Sequence, residues 1–542
     1  MVNAELEMPN IQIAQPRQNR SKRRASAPSR GRVVASRVHV FVPPLLLALA
    51  FAAFVFYGWN GAFPPGLNND AAWHGLVALR ILNGESFGIY TPEAFGHEMP
   101  YYHVMAAIFR VFGASKASIE ITATLFGWLA VALFYWIIER KTRSSWWALG
   151  LSLLWISSSA LVLYSRVGWQ LITLVPAALW VAGACRFYFD EPERARFWAI
   201  QIGLSAGVVL YTYNGGRAIL AFVPLFWALR LVQTRGAKSV RGDAALSLLL
   251  FFVVCAPMLF YAAGHGADWN GRASFLANQS GGWARIGENL KTSLGYFNIS
   301  AHGDDFFTDF PVLEGPMRAL WIAGAIFALV RARNYWPELL LFALFLLPGV
   351  VTKPSFHRAV GTLPLVYLLA CYFLIALGRQ ILVRWKARAI RPVLALGLTA
   401  IVALQIGAGW KKLYVEGRPF DWGFYPETLV VGRFLHAHPR QLYVLYGGGW
   451  PLDPLVFLAT TDSKKPGGNF SNYQWYNSDS RDGLPELSGD LDNGNLARPA
   501  HCIVDLGKVG PFLNALQGRY RIAKEGELKR DGSPVALILR VE

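Results

Sequence analysis

The sequence predicts a polytopic α-helical membrane protein of about eleven spans with a small α/β domain at its C-terminal end. Three observations carry this prediction. Hydrophobic residues make up 54% of the 542 and charged residues only 16%, with a mean hydropathy of +0.31. Apolar runs of spanning or near-spanning length recur from residue 39 to residue 410. The basic residues behind the formal net charge of +18 punctuate those runs instead of gathering on one water-soluble domain. That is the pattern of the positive-inside rule, and it argues against nucleic acid as a partner.

Residues 1–38 are basic and lack any core-forming pattern, so they read as a disordered cytoplasmic tail. A cleaved signal peptide is not expected, because the first apolar run begins only near residue 38. The apolar runs fall at 39–57, 117–138, 145–163, 168–188, 197–214, 217–233, 244–263, 317–332, 336–351, 359–378 and 392–410. With the N-terminus inside, the loops ERKTRSS, DEPERAR, RLVQTRGAKSVRG, RARN and GRQILVRWKARAIR all fall on the cytoplasmic side. The other side receives loops 58–116 and 264–316 and everything after about residue 411. The chain therefore reads as a multi-pass protein of the cell (inner) membrane, with a membrane module at 39–411 and an extracytoplasmic domain at 412–542.

That last domain changes character. QLYVLYGG, HCIVDLG and PVALILRV are strand-like, and PETLVVGRFLHAH before them is helix-like. KKPGGNFSNYQWYNSDSRDG reads as loop-rich. The cysteines, Cys185, Cys255, Cys371 and Cys502, are scattered and make neither a disulfide framework nor a zinc pattern.

Candidate chemistry lies on the outer face. GLNNDAAWHG opens an amphipathic helix ended by Asn83-Gly84, with Asp70 at its start. Asp70 can serve as the helix N-cap or as a functional carboxylate. GHEMPYYHVMAAIFRVFG predicts a second helix from Pro100 to Gly113, leaving His97 and Glu98 at its mouth. Three further corners bring cations to the same face: YSRVGWQ carries Arg166, YTYNGGRAIL carries Arg217, and TKPSFHRAVG carries Lys353, His357 and Arg358. Singly each cation can snorkel to headgroups. Together they point to a negatively charged ligand at the membrane surface, and a guanidinium suits phosphate because it donates two parallel hydrogen bonds.

The ordered set of motifs resembles the GT-C-type glycosyltransferases, in particular bacterial family 39-like relatives of protein O-mannosyltransferases and of aminoarabinose transferase. Asp70 matches the acidic position of their first outer loop, although Ala71 stands where many relatives have Glu. Glu98 and Pro100 match their second motif, with Met99 in place of a lysine. LYSRVGWQ, GVVLYTYNGGRAILAFVPL and SFHRAVGTLPLVYLLA are similar to further segments. The resemblance covers roughly 40–410 and implies a GT-C-like fold. It also implies an inverting glycosyltransferase that moves a hexosyl or pentosyl group from a polyprenyl-phosphate-linked donor, itself a membrane lipid, to an extracytoplasmic acceptor that is a protein, a lipid or a glycan. On that reading Asp70 and Glu98 are catalytic, and Arg166, Arg217, His357 and Arg358 bind the lipid phosphate. Relatives differ over a divalent metal ion; Glu98 with His302 and Asp304 is the candidate ligand set, its alternative being a solvated acidic loop. A lipid or glycan transporter or flippase, and a polysaccharide-to-lipid ligase, stay open as alternatives.

Overall fold

The computed structural model describes residues 30–59, 63–279, 285–301, 310–385, 390–416, 424–438, 440–447, 473–476 and 483–542. Contacts divide the chain into a short N-terminal unit, 1–42, and a large unit, 43–542. Most of the basic tail lies outside the described residues; helix α1 (Arg30–Phe56) begins inside it.

The first outer segment folds as its punctuation predicts. Helix α2 (Asn69–Leu82) ends at Asn83. A two-residue ladder, β1 (Tyr90–Thr91) with β2 (His97–Glu98), then reverses the chain. Helix α3 (Pro100–Phe112) starts on its proline and stops at Gly113, whose φ of 81° favours a residue with no Cβ. Arg80 ties the end of α2 to the following loop by ion pairs to Glu85 at 2.5 Å and Glu93 at 2.7 Å.

The bundle proper begins with α4 (Lys116–Thr142), α5 (Ser145–Ile156) and α6 (Ser159–Val167). It continues through α7 (Leu174–Asp190), α8 (Ala195–Val209), α9 (Ile219–Gln233) and α10 (Lys238–Gly264). After α11 (Gly266–Gln279) and α12 (Ile286–Gly295) come α13 (Met317–Val330), α14 (Ala332–Val351), α15 (Leu363–Trp385) and α16 (Ile390–Trp410). Every apolar run named above falls on helix, the run 145–163 on the two helices α5 and α6. Among the described residues, seven helices are long and apolar enough to cross a bilayer, or eight if α5 and α6 form one bent span. The apolar part of α1 and helices α8 and α13 are shorter. At 1.5 Å per residue the 14 residues of α13 reach about 21 Å, short of a hydrocarbon core of about 30 Å.

Helices pack closely where side chains vanish. A Cβ at Gly324 of α13 would stand 2.8 Å from the Leu369 carbonyl oxygen of α15. The α5–α6 pair bends by 66° at Ser157-Ser158. Glu314, reaching in from the segment before α13, accepts hydrogen bonds from Ser159 N and Oγ, each at 3.0 Å, and so satisfies the opened start of α6. Gln405 and Lys412, from α16 and the turn after it, donate to the same carboxylate at 3.2 and 3.3 Å. At one end of the bundle the basic loops are knitted together. Arg140 pairs with Glu191, Lys141 with Asp190, and Arg186 with Glu338, at 2.5, 2.5 and 2.7 Å.

The C-terminal part, from α17 (Pro426–Ala437) onward, is a layered α/β domain. Its strands are β3 (Tyr443–Tyr446), β4 (Tyr473–Tyr476), β5 (Ala500–Asp505), β6 (Ile522–Arg530) and β7 (Ser533–Val541), and its further helices α18 (Gly483–Asp492) and α19 (Val509–Leu516). The sheet order is β4-β3-β5-β7-β6, parallel across the first three strands and antiparallel thereafter. Alternation along β3 sorts the faces. Tyr443 and Leu445 pack with Val431 and Leu435 of α17, whereas Val444 and Tyr446 join Leu487 of α18 and Phe512 of α19. The stretch KKPGGNFSNYQWYNSDSRDG, expected to be loop-rich, contains the four-residue β4; most of its other residues lie outside the described set. Long-range pairing to β3 makes the strand, and no local alternation announces it.

Candidate active site

Asn68, not Asp70, caps α2: its side-chain oxygen accepts from the backbone N–H of Asp70 at 2.9 Å and of Ala71 at 3.4 Å. The capping alternative for Asp70 is thereby corrected. Trp169 Nε1 donates to the same Asn68 oxygen at 2.6 Å and locks the cap to the bundle. Asp70 sits in the first turn with its side chain exposed, where the macrodipole favours negative charge. His74 follows at i+4 on the same helical face, and its Nδ1 meets the Gly168 carbonyl at 3.1 Å. Tyr101 donates to that carbonyl at 2.9 Å, and complete burial pushes its phenol far above the ordinary range, so it acts only as a donor.

The opposite wall is built from helix interruptions. Gly168, at φ 80°, ends α6 in the left-handed region, so that Trp169 and Gln170 turn inward before α7 begins. Gln170 Nε2 donates to the Glu98 carbonyl at 2.8 Å and to its carboxylate at 3.3 Å, which fixes the amide with Oε1 toward His97. His97 Nδ1 lies 3.1 Å from that oxygen and its Nε2 lies 3.2 Å from the Ala94 carbonyl, so both ring nitrogens face acceptors. A 3₁₀ turn at Asn214–Ala218 ahead of α9 presents Tyr213 and Arg217. Another at Phe356–Thr362 ahead of α15 presents His357 and Arg358.

Two cavities of about 240 Å³ each result. The first is polar, lined by Asp70, His74, His97, Trp169, Gln170, Tyr213, Lys353, His357 and Arg358. The second is lined by Arg217, Leu347, Pro348, Val351 and Thr352, together with Tyr213 and Arg358. Tyr213 and Arg358 thus belong to both. Arg217 donates to the Trp269 carbonyl at 2.5 Å, to Tyr90 Oη at 3.2 Å and to Glu98 at 3.4 Å, with its guanidinium 3.6 Å from the centre of the Trp269 ring.

Solved structures share this fold. The chain is similar to ArnT from Cupriavidus metallidurans bound to undecaprenyl phosphate, with a TM-score of 0.55 and 13% identity over 91% of this chain and 97% of that one. ArnT in the apo state matches with a TM-score of 0.51 and 13% identity over 94% and 98% of the two chains. The fold is of the GT-C glycosyltransferase type. The archaeal oligosaccharyltransferase AglB from Archaeoglobus fulgidus, in complex with an inhibitory peptide and a dolichol-phosphate, matches with a TM-score of 0.50 and 12% identity over 88% of this chain and 70% of that one. No family model and no curated protein matches the sequence.

Within this GT-C fold the sequence-predicted residues separate into groups. Asp70, His357 and Arg358 line the polar cavity, and Arg217 lines its neighbour. Glu98 lines neither; fully buried, it holds Gln170 and Arg217. Arg166 is also fully buried away from both, donating to the carbonyls of Tyr57 and Phe63. His302 and Asp304 lie outside the described residues, and among the described residues no three His, Cys, Asp or Glu side chains are grouped to hold a metal ion. His97 and Lys353 were named on the outer face without a role in the site, and His74 was not singled out. The i+4 spacing from Asp70 was the available signal for His74.

Proposed function

We propose that this protein transfers a sugar, with inversion, from a polyprenyl-phosphate donor to a hydroxyl-bearing acceptor on the extracytoplasmic side of the membrane. One observation carries the reading: a polar cavity with a carboxylate and an apolar-walled cavity with an arginine meet at Arg358 and Tyr213. A polyprenyl phosphosugar has the matching division, with sugar at one end, isoprenoid at the other and phosphate between. That ArnT was solved with undecaprenyl phosphate and AglB with a dolichol-phosphate supports the choice of lipid.

The chemistry follows from the residues. Asp70 accepts the proton of the acceptor hydroxyl. The acceptor oxygen attacks the anomeric carbon on the side opposite the phosphate, forming one carbon–oxygen bond as the bond to the phosphate oxygen breaks. The bonding pair leaves on that oxygen, so a singly charged phosphodiester becomes a more highly charged monoester. Arg358 from the polar side and Arg217 from the apolar side, each held by a hydrogen bond to a backbone carbonyl, stabilise the added charge without reorganising, and exposed Lys353 adds a third cation. Trp169 offers an aromatic wall to the sugar.

Purified protein supplied with radiolabelled polyprenyl-phosphate sugars and a membrane extract tests the proposal. Release or transfer of label by wild type and its loss in folded Asp70→Asn support it. Donor binding without turnover across mannose, glucose, galactose and aminoarabinose donors overturns it in favour of a carrier.

A further inference from the structure

At the end of the bundle where the basic loops are knitted together, a third cavity of about 310 Å³ opens between α5, α15 and α16. Its walls are apolar, with Leu151, Ile375, Leu382, Leu394 and Ile401 among them. Along α16 it runs from Val393 to Ile401, about 12 Å at the helical rise. Within that run Leu398 packs close to Gly150, a Cβ there standing 2.9 Å from the leucine. Gly378 and Gly397 form part of the wall, and a Cβ on either would meet nothing within 4 Å, so real space lies in front of them.

Polar groups crowd the other end. Thr142, Trp147 and Arg379 line it, and Arg379 Nη2 donates to the Lys141 carbonyl at 2.6 Å, which holds the guanidinium at the rim. Exposed Arg143 adjoins Thr142 in the chain, while exposed Arg384 and Arg391 flank the groove on α15 and α16. Among the described residues none of these four arginines has a carboxylate within ion-pair distance. Tryptophan beside uncompensated arginine marks the headgroup level of a bilayer.

We infer that this groove binds an anionic glycerophospholipid, with one acyl chain between α15 and α16 and its phosphate on Arg379. The groove takes the chain because neither helix covers it, and the arginines select the headgroup by charge complementarity. The site stands at the other end of the bundle from the Asp70 cavity and is independent of the proposed reaction.

Native mass spectrometry of the full-length protein, titrated with phosphatidylglycerol and with phosphatidylethanolamine, provides the test. Wild type is expected to prefer phosphatidylglycerol. The double variant Gly378→Leu/Gly397→Leu fills the space and is expected to lose one bound phosphatidylglycerol. Arg379→Gln is expected to weaken phosphatidylglycerol about fivefold and leave phosphatidylethanolamine unchanged. Equal binding of the two lipids by wild type overturns the inference, as does an unchanged phosphatidylglycerol count in the filled variant. Should the filled variant fail to fold, Arg379→Gln decides: an unchanged preference there overturns it equally.

Discussion

Asn68 accepts the backbone N–H of Asp70 at 2.9 Å, so the cap of α2 and the carboxylate beside it are separate groups. Asp70→Asn is therefore expected to leave thermal unfolding in detergent unchanged while lowering sugar transfer by about 10²- to 10⁴-fold, as loss of a general base does. Asn68→Ala is expected to do the reverse in kind: about 1 kcal/mol of lost stability, with turnover reduced only as far as α2 loosens. Calorimetry and the transfer assay on both variants check the separation.

Arg358 borders both cavities and Arg217 only one. If a phosphate sits between them, Arg358→Gln removes a charge-assisted hydrogen bond of about 1.5–3 kcal/mol, and kcat/KM is expected to fall roughly ten- to hundredfold. Arg358→Lys keeps the charge but loses the planar fork, and partial recovery is expected. Steady-state kinetics with a polyprenyl-phosphate sugar measure both.

Glu98 is expected to matter through Arg217, not through contact with substrate. Its carboxylate is fully buried, and removing it in Glu98→Ala leaves Arg217 only the Trp269 carbonyl and Tyr90, at a cost of about 1–3 kcal/mol. Glu98→Gln keeps the shape and an acceptor for Gln170 and is expected to fold close to normally. A Glu98→Gln enzyme with unaltered pH profile and raised KM for the donor would fit this positioning role; loss of one limb of the profile would refute it.

Cys502 gives the C-terminal domain a titration of its own. Burial against the α18–α19 side of the sheet pushes its thiol from 9.0 up to about 12. The native state then holds a proton that the unfolded chain has lost between pH 9 and 12. The associated stability is full below pH 9 and declines as pH rises, by on the order of 1.4 kcal/mol per unit. Urea midpoints by pulse proteolysis are expected to fall with pH over this window more steeply for wild type than for Cys502→Ala.

Hydropathy made the bundle legible, since every apolar run lies on helix, one of them on two; the shortfall concerns the apolar part of α1, α8 and α13, which are shorter than a spanning helix. The strands that escaped notice, β4 and β6, lie at the two edges of the sheet. IAKEGELKR in β6 is mostly polar and earns its place by backbone pairing with β7, which no local pattern encodes. At the site, Asn68, Asn69 and Asp70 were all acceptable caps by type, and a distant tryptophan, Trp169, settled which one serves. Arg217 and Arg358 were visible as cations out of place for the side of the membrane that the sequence predicts for them. Arg166 showed the same signal, yet it serves backbone carbonyls. Sequence locates a costly charge and is silent on what compensates it.

The carboxylate that completes the start of α6 lies 155 positions further along the chain, and the lysine that pairs with it another 98. Synthesis proceeds from the N-terminus, so although Ser158 caps Leu161 N at once, Ser159 N waits for its acceptor while the ribosome makes half of the remaining spans. The wall carrying Trp169 and Gln170 depends on that helix and is finished only after the last apolar segment has entered the membrane. A nascent chain halted before Lys412 would hold every residue of the polar cavity and still lack the lysine that fastens its scaffold.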